Sequence, residues 1–427
     1  MTLKRILTLL CVLAGIATAQ GQTLEECRRL AREHYPTIRQ YDLLAQTEQY
    51  NLSNAARAWI PQVVVSSQAT YQSATPTYPD ALANMLKAQG LEVAGVRKDQ
   101  YKVAVDVSQH IWDGGQSKAL RETVRAEANE QRRAADVDLY ALEERVDNLY
   151  FGILLLGERM AQTENQIGVL QSVLDRMRAY CRNGVAMQAD ADAVEAELLT
   201  AQQALQQAQV SQTNYRRMLE IFIGQPLAEG ALARPALCPR PEGVPARPEL
   251  DLFDARIGLL AAREKSVNSS VLPRFSAFAQ GFYGYPGWDM FKSMTSADWK
   301  LNGLVGVRMS WNVGAFWTKK NSLENLRTAR EQVEVQRDIF LFNTQLRSTQ
   351  EEGEVERLRN AVVADEHIAE LRRSVRMAAE SQLANGVIDT TDLLRKIADE
   401  TAAMLQKNTH EIELLQATYQ LKHTLNQ

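Results

Sequence analysis

Side chains able to do chemistry are few and scattered in this chain. The five histidines, His34, His110, His367, His410 and His423, stand alone, without the spacings that place two ligands on one metal, and solvated helix positions account for most of them. Once an N-terminal leader is set aside the cysteines are Cys27, Cys181 and Cys238. An odd number with no Cys-x-x-Cys argues against both a disulfide framework and a zinc site, while a Cys27 to Cys238 bridge stays open. Carboxylate pairs such as Glu351-Glu352 fall in solvated helical stretches, and no nucleophile elbow, phosphate loop or metal motif is present. The expectation is a protein that is not an enzyme and needs no cofactor. One candidate remains, the stretch HIWDGGQSKA at His110 to Ala119. Its paired glycines could cradle a ligand or could join two structural elements.

The elements around that stretch must decide. Lys4 and Arg5, an apolar core from Ile6 to Ile16 and the small-x-small pattern Ala17-Thr18-Ala19 make residues 1–19 a secretory signal. Cys11 lies inside the apolar core behind Leu10, so it is no lipid-attachment site. Removing the signal leaves 46 basic against 52 acidic residues, spread along the chain, which gives no electrostatic footprint for nucleic acid. Beyond the signal no run of ~18 apolar residues occurs. If this chain enters a membrane, it does so as strands.

The sequence carries one plan twice. Pro36 precedes Pro61 by 25 residues and Pro248 precedes Pro273 by 25, which predicts helices of equal length before the strands beginning WIPQVVV and VLPRFSA. Each strand is followed by a loop, a second strand and a tryptophan-glycine junction, Trp112 to Gly115 (with Gly114) and Trp311 to Gly314. Long helical stretches follow, each broken once by Asn-Gly-Val, at Asn183-Gly184-Val185 and Asn385-Gly386-Val387, with Asp190 and Asp392 six residues past each glycine. Six of the twelve prolines lie from Pro226 to Pro248, because long helices expel proline. The organisation expected is a first repeat at residues 20–224 (strands about 62–72 and 101–112, hairpin tip near 184), a linker at 225–247, and a second repeat at 248–427 (strands about 274–284 and 301–313, hairpin tip near 386).

Apolar residues from Leu139 onward step by three and four through Leu142, Val146, Leu149, Ile153, Leu156 and Met160, then Ile167, Leu170, Leu174, Met177 and Cys181. That period is a coiled-coil seam. Its partner is the stretch after Gly184, with Leu198, Ala201, Leu205, Ala208, Tyr215 and Leu219 at the same spacing and small alanines for close approach. A helix from Gln116 to Cys181 would reach about 100 Å, far more than a globular domain needs. Helices alone would favour a periplasmic coiled-coil adaptor or scaffold without a pore.

The strands alternate. Val63, Val65, Ala69 and Tyr71 oppose Gln62, Ser66, Gln68 and Thr70; Tyr101, Val103, Val105, Val107 and Ile111 oppose Lys102, Asp106, Ser108 and His110; the fourth sets Leu301, Val305, Val307, Met309, Trp311 and Val313 against Asn302, Arg308, Ser310 and Asn312. In the third, Phe278 and Phe282 break the pattern. One apolar and one polar face fit a membrane barrel with lipid outside and a polar lumen. Four strands cannot close a barrel, and open edges are not tolerated in lipid, so several copies must supply strands jointly. Trp112 then suits the interfacial belt, and Gly114-Gly115 turn the strand into a helix.

The opening TLEECRRLAREHYPTIRQYDLL, the AARAWIP and SSVLPRF junctions, WDGG, the two Asn-Gly-Val tips and the duplicated order together resemble the TolC family of outer-membrane efflux proteins of Gram-negative bacteria. The fold implied is mainly α with a small β part. It combines long antiparallel coiled-coil helices with four strands per chain that contribute to the twelve-stranded β-barrel of a homotrimer. The implied function is a channel-tunnel exporting small molecules or proteins as the outer component of a tripartite efflux or type I secretion system, in outer-membrane lipid with helices in the periplasm. Implied partners are a periplasmic adaptor protein and an inner-membrane pump. The family closes its periplasmic end around the second hairpin, which makes Asp392, Asp389, Leu383 and Ile388 the gate candidates. Asp392 either lines that constriction or simply complements a helix dipole. The exposed tips, Arg182, Asn183, Gly184 and Val185 with Asn385, Gly386 and Val387, are candidate adaptor contacts.

Overall fold

The computed structural model describes residues 22–90, 95–228, 230, 232–239 and 245–426. The expected signal at residues 1–19 lies outside the described residues, as does part of the linker. Helix α1 (Leu24–His34) and helix α2 (Ile38–Arg57) lead into strand β1 (Gln62–Tyr71), short helix α3 (Asp80–Ala88), strand β2 (Asp99–Trp112) and the long helices α4 (Gln116–Arg182) and α5 (Gln188–Ile223). Then come α6 (Pro248–Ser270), β3 (Arg274–Tyr285), α7 (Met290–Thr295), β4 (Lys300–Ser310), α8 (Ala315–Ala384) and α9 (Thr390–Leu425). The chain is thus mainly helical with a small β part.

Several details depart from expectation. The helices before the strands are unequal, α2 with 20 residues and α6 with 23. Pro36 sits in a turn ahead of α2, whereas Pro248 is itself the first residue of α6, where its fixed φ and missing N–H cost nothing. Strand β4 ends at Ser310, so Trp311 and Val313 lie beyond it, because the chain is already turning at residues 313–314 into α8. Both connections between paired strands contain a short helix. That in the second is capped by the Asp289 carboxylate, which accepts from the Lys292 backbone N–H at 3.1 Å.

Two compact units form, and each draws on both halves of the sequence. One comprises Leu43–Arg132 and Phe253–Val335. It holds a four-stranded antiparallel sheet in the order β1-β2-β3-β4. Pairings such as Val65 with Val105, Val105 with Gly281, and Ala279 with Val305 place the apolar alternates of every strand on one face. That face is bare: Leu301 is 81% exposed and Val305 79%. At the end of β2 the register shifts between His110 and Trp112, with Trp112 opposite Phe275. Ile111 is therefore the extra residue of a bulge rather than a member of the apolar row, and Trp112 takes its place on that face. Helix α6 lies along α4 through the pairs Arg256–Glu130, Arg263–Glu127 and Lys265–Glu122 at 3.3, 3.2 and 2.8 Å. These pairs are solvated and worth under about 1 kcal/mol each, so they set register more than stability.

The other unit gathers the residues up to Asp42, Arg133–Leu252 and Gln336–Gln427. Its seam is the one read from the sequence: Leu142, Val146, Leu149, Ile153, Leu170, Leu174 and Met177 of α4 are buried, as are Leu198, Ala201, Ala208 and Leu219 of α5. Tyr215 instead stays exposed, its ring lying beside Gly152, where no side chain competes for the space. Helix α1 buries Leu24, Cys27 and Ala31 at helical spacing against this seam. Its Arg28 grips Asp147 of α4 with two bonds, Nε at 2.7 Å and an Nη at 2.5 Å, a fork that ties the N-terminus to the long helix. Cys27 and Cys238 are both free thiols, so the bridge left open by the sequence is not formed. Burial pushes the Cys27 thiol up to about 11.

Two histidines are not solvated. His410 of α9 pairs its Nδ1 with the buried Asp365 carboxylate of α8 at 2.5 Å. His423 is buried and stacks on Tyr140 with ring centroids 4.1 Å apart. Its Nε2 donates to the Tyr140 carbonyl at 3.1 Å, and its Nδ1 is buried without a partner. Burial holds its pKa below the ordinary value, against the opposing pull of the Tyr140 carbonyl. A lowered histidine pKa means the unfolded chain takes up protons first. Stability is therefore complete above the unfolded value of about 6.5 and falls as pH drops below it. In thermal unfolding at a series of pH values, His423→Phe, which keeps the stack, is expected to flatten the loss of stability below about pH 6.5 relative to wild type; parallel profiles would contradict this.

Candidate functional site

Three features are the candidates for function: the two-faced sheet, the strand-to-helix joints, and the hairpin tips. On the apolar face of the sheet, aromatic rings gather at both ends of the strands. Trp299 lies 6.2 Å from Tyr101 and 5.4 Å from Tyr283 at one end. Trp112 lies 6.0 Å from Phe275 at the other. Between them run valines, leucines and alanines. An apolar band bounded by amphipathic rings is the profile of a surface immersed in a bilayer. The opposite face carries Gln68, Thr70, Lys102, Asp106, Gln280, Asn302 and Arg308. Phe278 and Phe282, the residues that broke the alternation, point to this polar face, where Arg308 sits 4.6 Å from the Phe278 ring and Lys102 4.8 Å from that of Phe282.

The joints differ in mechanism. Gly114 and Gly115 both have left-handed backbone, φ +68 and +83. A Cβ on Gly114 would meet the Leu272 Cβ at 2.8 Å, whereas Gly115 faces open space. Gly314 of the second joint is not left-handed. There the Trp311 indole N–H donates to the Val271 carbonyl at 3.0 Å, and its ring meets Phe316 edge-on at 6.3 Å. The sequence reads Asp113 only as the start of the polar side of the joint and misses its role as a cap. Its buried carboxylate accepts from the Gly115 and Ser117 backbone N–H groups at 2.9 and 2.7 Å, capping α4. An aspartate just ahead of a long helix was the available signal. Burial raises its pKa, but the bonds from Ser117 and Gly115 outweigh that and hold the carboxyl below its ordinary value. The cap therefore stabilises at neutral pH and is lost only as pH falls through that depressed value.

The tips share one geometry. Gly184 and Gly386 have φ +73 and +70. The Val185 N–H donates to the Tyr180 carbonyl and the Val387 N–H to that of Gln382, both at 2.9 Å, while the Gly184 N–H donates to the Cys181 carbonyl at 3.1 Å and the Gly386 N–H to that of Leu383 at 3.0 Å. This is the αL helix ending that glycine permits. Arg182, Asn183, Gly184, Val185, Asn385, Gly386 and Val387 are all exposed. Leu383 and Ile388 are partly buried, packed on a cluster that joins Leu174 and Met177 of the first hairpin to Leu393 and Ile397 of the second. Asp389 caps α9, accepting from the Asp392 N–H at 2.8 Å. At the first tip the aspartate one turn later does the work instead, Asp190 accepting from the Met187 N–H at 3.0 Å.

No metal-holding group of His, Cys, Asp and Glu occurs among the described residues, and no described helix is long and apolar enough to cross a membrane. A sheet with a lipid face, joined to long helical hairpins, defines the class: an outer-membrane channel protein. Residues 28–225 match the model of the outer membrane efflux protein family. No curated protein matches the chain by sequence. Solved structures share its fold. The outer membrane protein VceC of Vibrio cholerae is 14% identical with a TM-score of 0.70, over 94% of this chain and 95% of that one. The Neisseria gonorrhoeae MtrE outer membrane channel in its open state is 15% identical with a TM-score of 0.65, over 94% and 88%. The Campylobacter jejuni CmeC outer membrane channel is 13% identical with a TM-score of 0.64, over 95% and 86%. Residues 28–225, just under half of the chain, thus match the outer membrane efflux protein family, and the chain as a whole shares the fold of solved outer-membrane channels. The scaffold without a pore, which the helices alone favoured, is set aside by the lipid-facing sheet and by this kinship.

Alanine at Gly114 is expected to lower thermal stability more than alanine at Gly115. Both incur about 1–2 kcal/mol for the left-handed backbone, and only Gly114 adds the Leu272 clash. Equal midpoints in circular dichroism melts would refute the close packing of this joint.

Proposed function

We propose that three copies of this chain close one twelve-stranded barrel and that solutes pass through it unchanged, as the outer component of a tripartite efflux or secretion system. The observation that carries this is the open sheet: β1 and β4 are its edges, and their free backbone groups find partners in lipid only on another copy. The α8 residues Ile339, Phe342 and Leu346, exposed at helical spacing, offer the apolar surface that neighbouring copies would cover.

The periplasmic gate is assigned to the second tip. Asp389 does the capping there, so the Asp392 carboxylate is left exposed and without a hydrogen bond among the described residues. The corresponding Asp190 of the first tip is spent on its own cap. That asymmetry favours an electrostatic role for Asp392 over a purely dipolar one. Leu383 and Ile388, wedged toward the first hairpin, hold the gate closed, and a cleft of 270 Å³ between the tips, lined by both residues and by Asp389, gives it room to move. The exposed tip residues from Arg182 to Val185 and from Asn385 to Val387 meet a periplasmic adaptor, which links the channel to an inner-membrane pump.

In planar bilayers, Asp392→Ala is expected to raise conductance and to weaken block by multivalent cations roughly tenfold or more, as three close carboxylates concentrate counter-ions. Unchanged conductance and block would remove Asp392 from the gate. A photocrosslinker at Arg182 is expected to trap one periplasmic protein in cells, lost when the crosslinker is moved to the exposed Glu331 of α8, outside the tips. Failure to trap any protein at Arg182 would count against docking at the tips.

A further inference from the structure

The chain as a whole is mildly acidic, with 52 acidic against 48 basic residues, but the polar face of its sheet is not. Pairing partners share a face, so the registers assign every charge on it. Strand β2 contributes Lys102 and Asp106, β3 contributes Arg274, and β4 contributes Lys300 and Arg308. Four cations thus meet one carboxylate, and that carboxylate already accepts from the Gln280 side-chain amide at 2.5 Å. None of the four cations forms an ion pair with a carboxylate among the described residues. Two lie over aromatic rings instead, Arg308 on Phe278 and Lys102 on Phe282. A ring face steadies a cation without cancelling its charge. Gly306, opposite Phe278 in the register, leaves space for this, since a Cβ there would meet the ring at 3.0 Å.

A neighbouring copy does not cancel the imbalance. The strand that would join β4 across the barrel seam is β1, whose residues on this face are Gln62, Val64, Ser66, Gln68 and Thr70, without a charge. We infer that the barrel lumen is an anion-selecting segment of the pore, and that among solutes that have passed the tip it admits anions most readily. This rests on the channel reading above and adds to it the charge class of the cargo. In a narrow lumen with low-dielectric walls, an uncompensated excess of fixed cations concentrates anions and repels cations. The lipid-facing side cannot be the charged one, because each of these cations would cost several kcal/mol at the bilayer midplane.

The test is the reversal potential of single channels in planar bilayers under a KCl gradient. It is measured on the full chain carrying Asp392→Ala, so that the carboxylates assigned to the tip do not contribute. The parent is expected to prefer chloride over potassium. The double variant Lys102→Glu with Arg308→Glu is expected to invert the sign of the reversal potential, and Lys102→Gln with Arg308→Gln, which tests the same charges with less risk to assembly, to bring it close to zero. A parent channel that prefers potassium, or a neutralised variant that keeps the parent's chloride preference, would overturn the inference while leaving the channel standing. Absence of any conducting channel from the parent would overturn the channel reading itself, and the inference with it.

Discussion

Backbone N–H and C=O groups in hydrocarbon must be paired within protein, because no water is there to take them and each orphan costs several kcal/mol. The rest of this molecule follows from that constraint. Its four strands pair in order, β1 with β2, β2 with β3 and β3 with β4, which satisfies the inner ladders and leaves two edges. An edge in lipid has no resolution inside one chain. Closure by further copies turns the constraint into an oligomer, and the requirement that a lumen remain inside dictates a polar second face.

The joints and tips are where helix and strand geometry are reconciled with that plan. A strand that ends at the bilayer surface must hand over to a helix within a few residues. At the first joint a bulge rotates Trp112 onto the lipid face, two left-handed glycines turn the backbone, and Asp113 satisfies the first N–H groups of α4. The second joint reaches the same end with Trp311 anchored to the Val271 carbonyl and without left-handed glycine. A duplicated plan has thus kept its landmarks while changing its local solutions. The tips show the same divergence. The glycine ending is common to both, but the cap is Asp190 at one and Asp389 at the other, which is why only one tip has an aspartate to spare.

Polar chemistry in the helical unit serves assembly of the hairpins. Arg28 forks onto Asp147, His410 meets Asp365, and His423 lies flat on Tyr140. Breaking a buried ion pair such as Arg28–Asp147 leaves an uncompensated charge at a cost of about 3–5 kcal/mol, so such pairs act more as registry marks than as sources of net stability. Of the three, only the His410–Asp365 pair joins α8 to α9; the other two hold α1 and α9 to α4.

Local pattern was enough to read the elements. Period two marked the strands, a 3.5-residue period marked the α4–α5 seam, and glycine after asparagine marked the tips, because each depends only on near neighbours in the chain. The open sheet edges, and with them the need for several copies, also followed from strand number and length. What the sequence alone could not decide depends on partners distant in the chain. His423 looks like any helical histidine until Tyr140 is brought against it. Phe278 and Phe282 look like breaks in a pattern until Arg308 and Lys102 arrive from adjacent strands. The bulge that places Trp112 exists only in the pairing of β2 with β3. The charge of the lumen face likewise emerges only once register tells which alternate of each strand faces which way, since a slip of one residue would exchange the two faces. Sequence determined the parts and their order; tertiary pairing decided which residues of those parts share a surface, because that depends on contacts made across the fold.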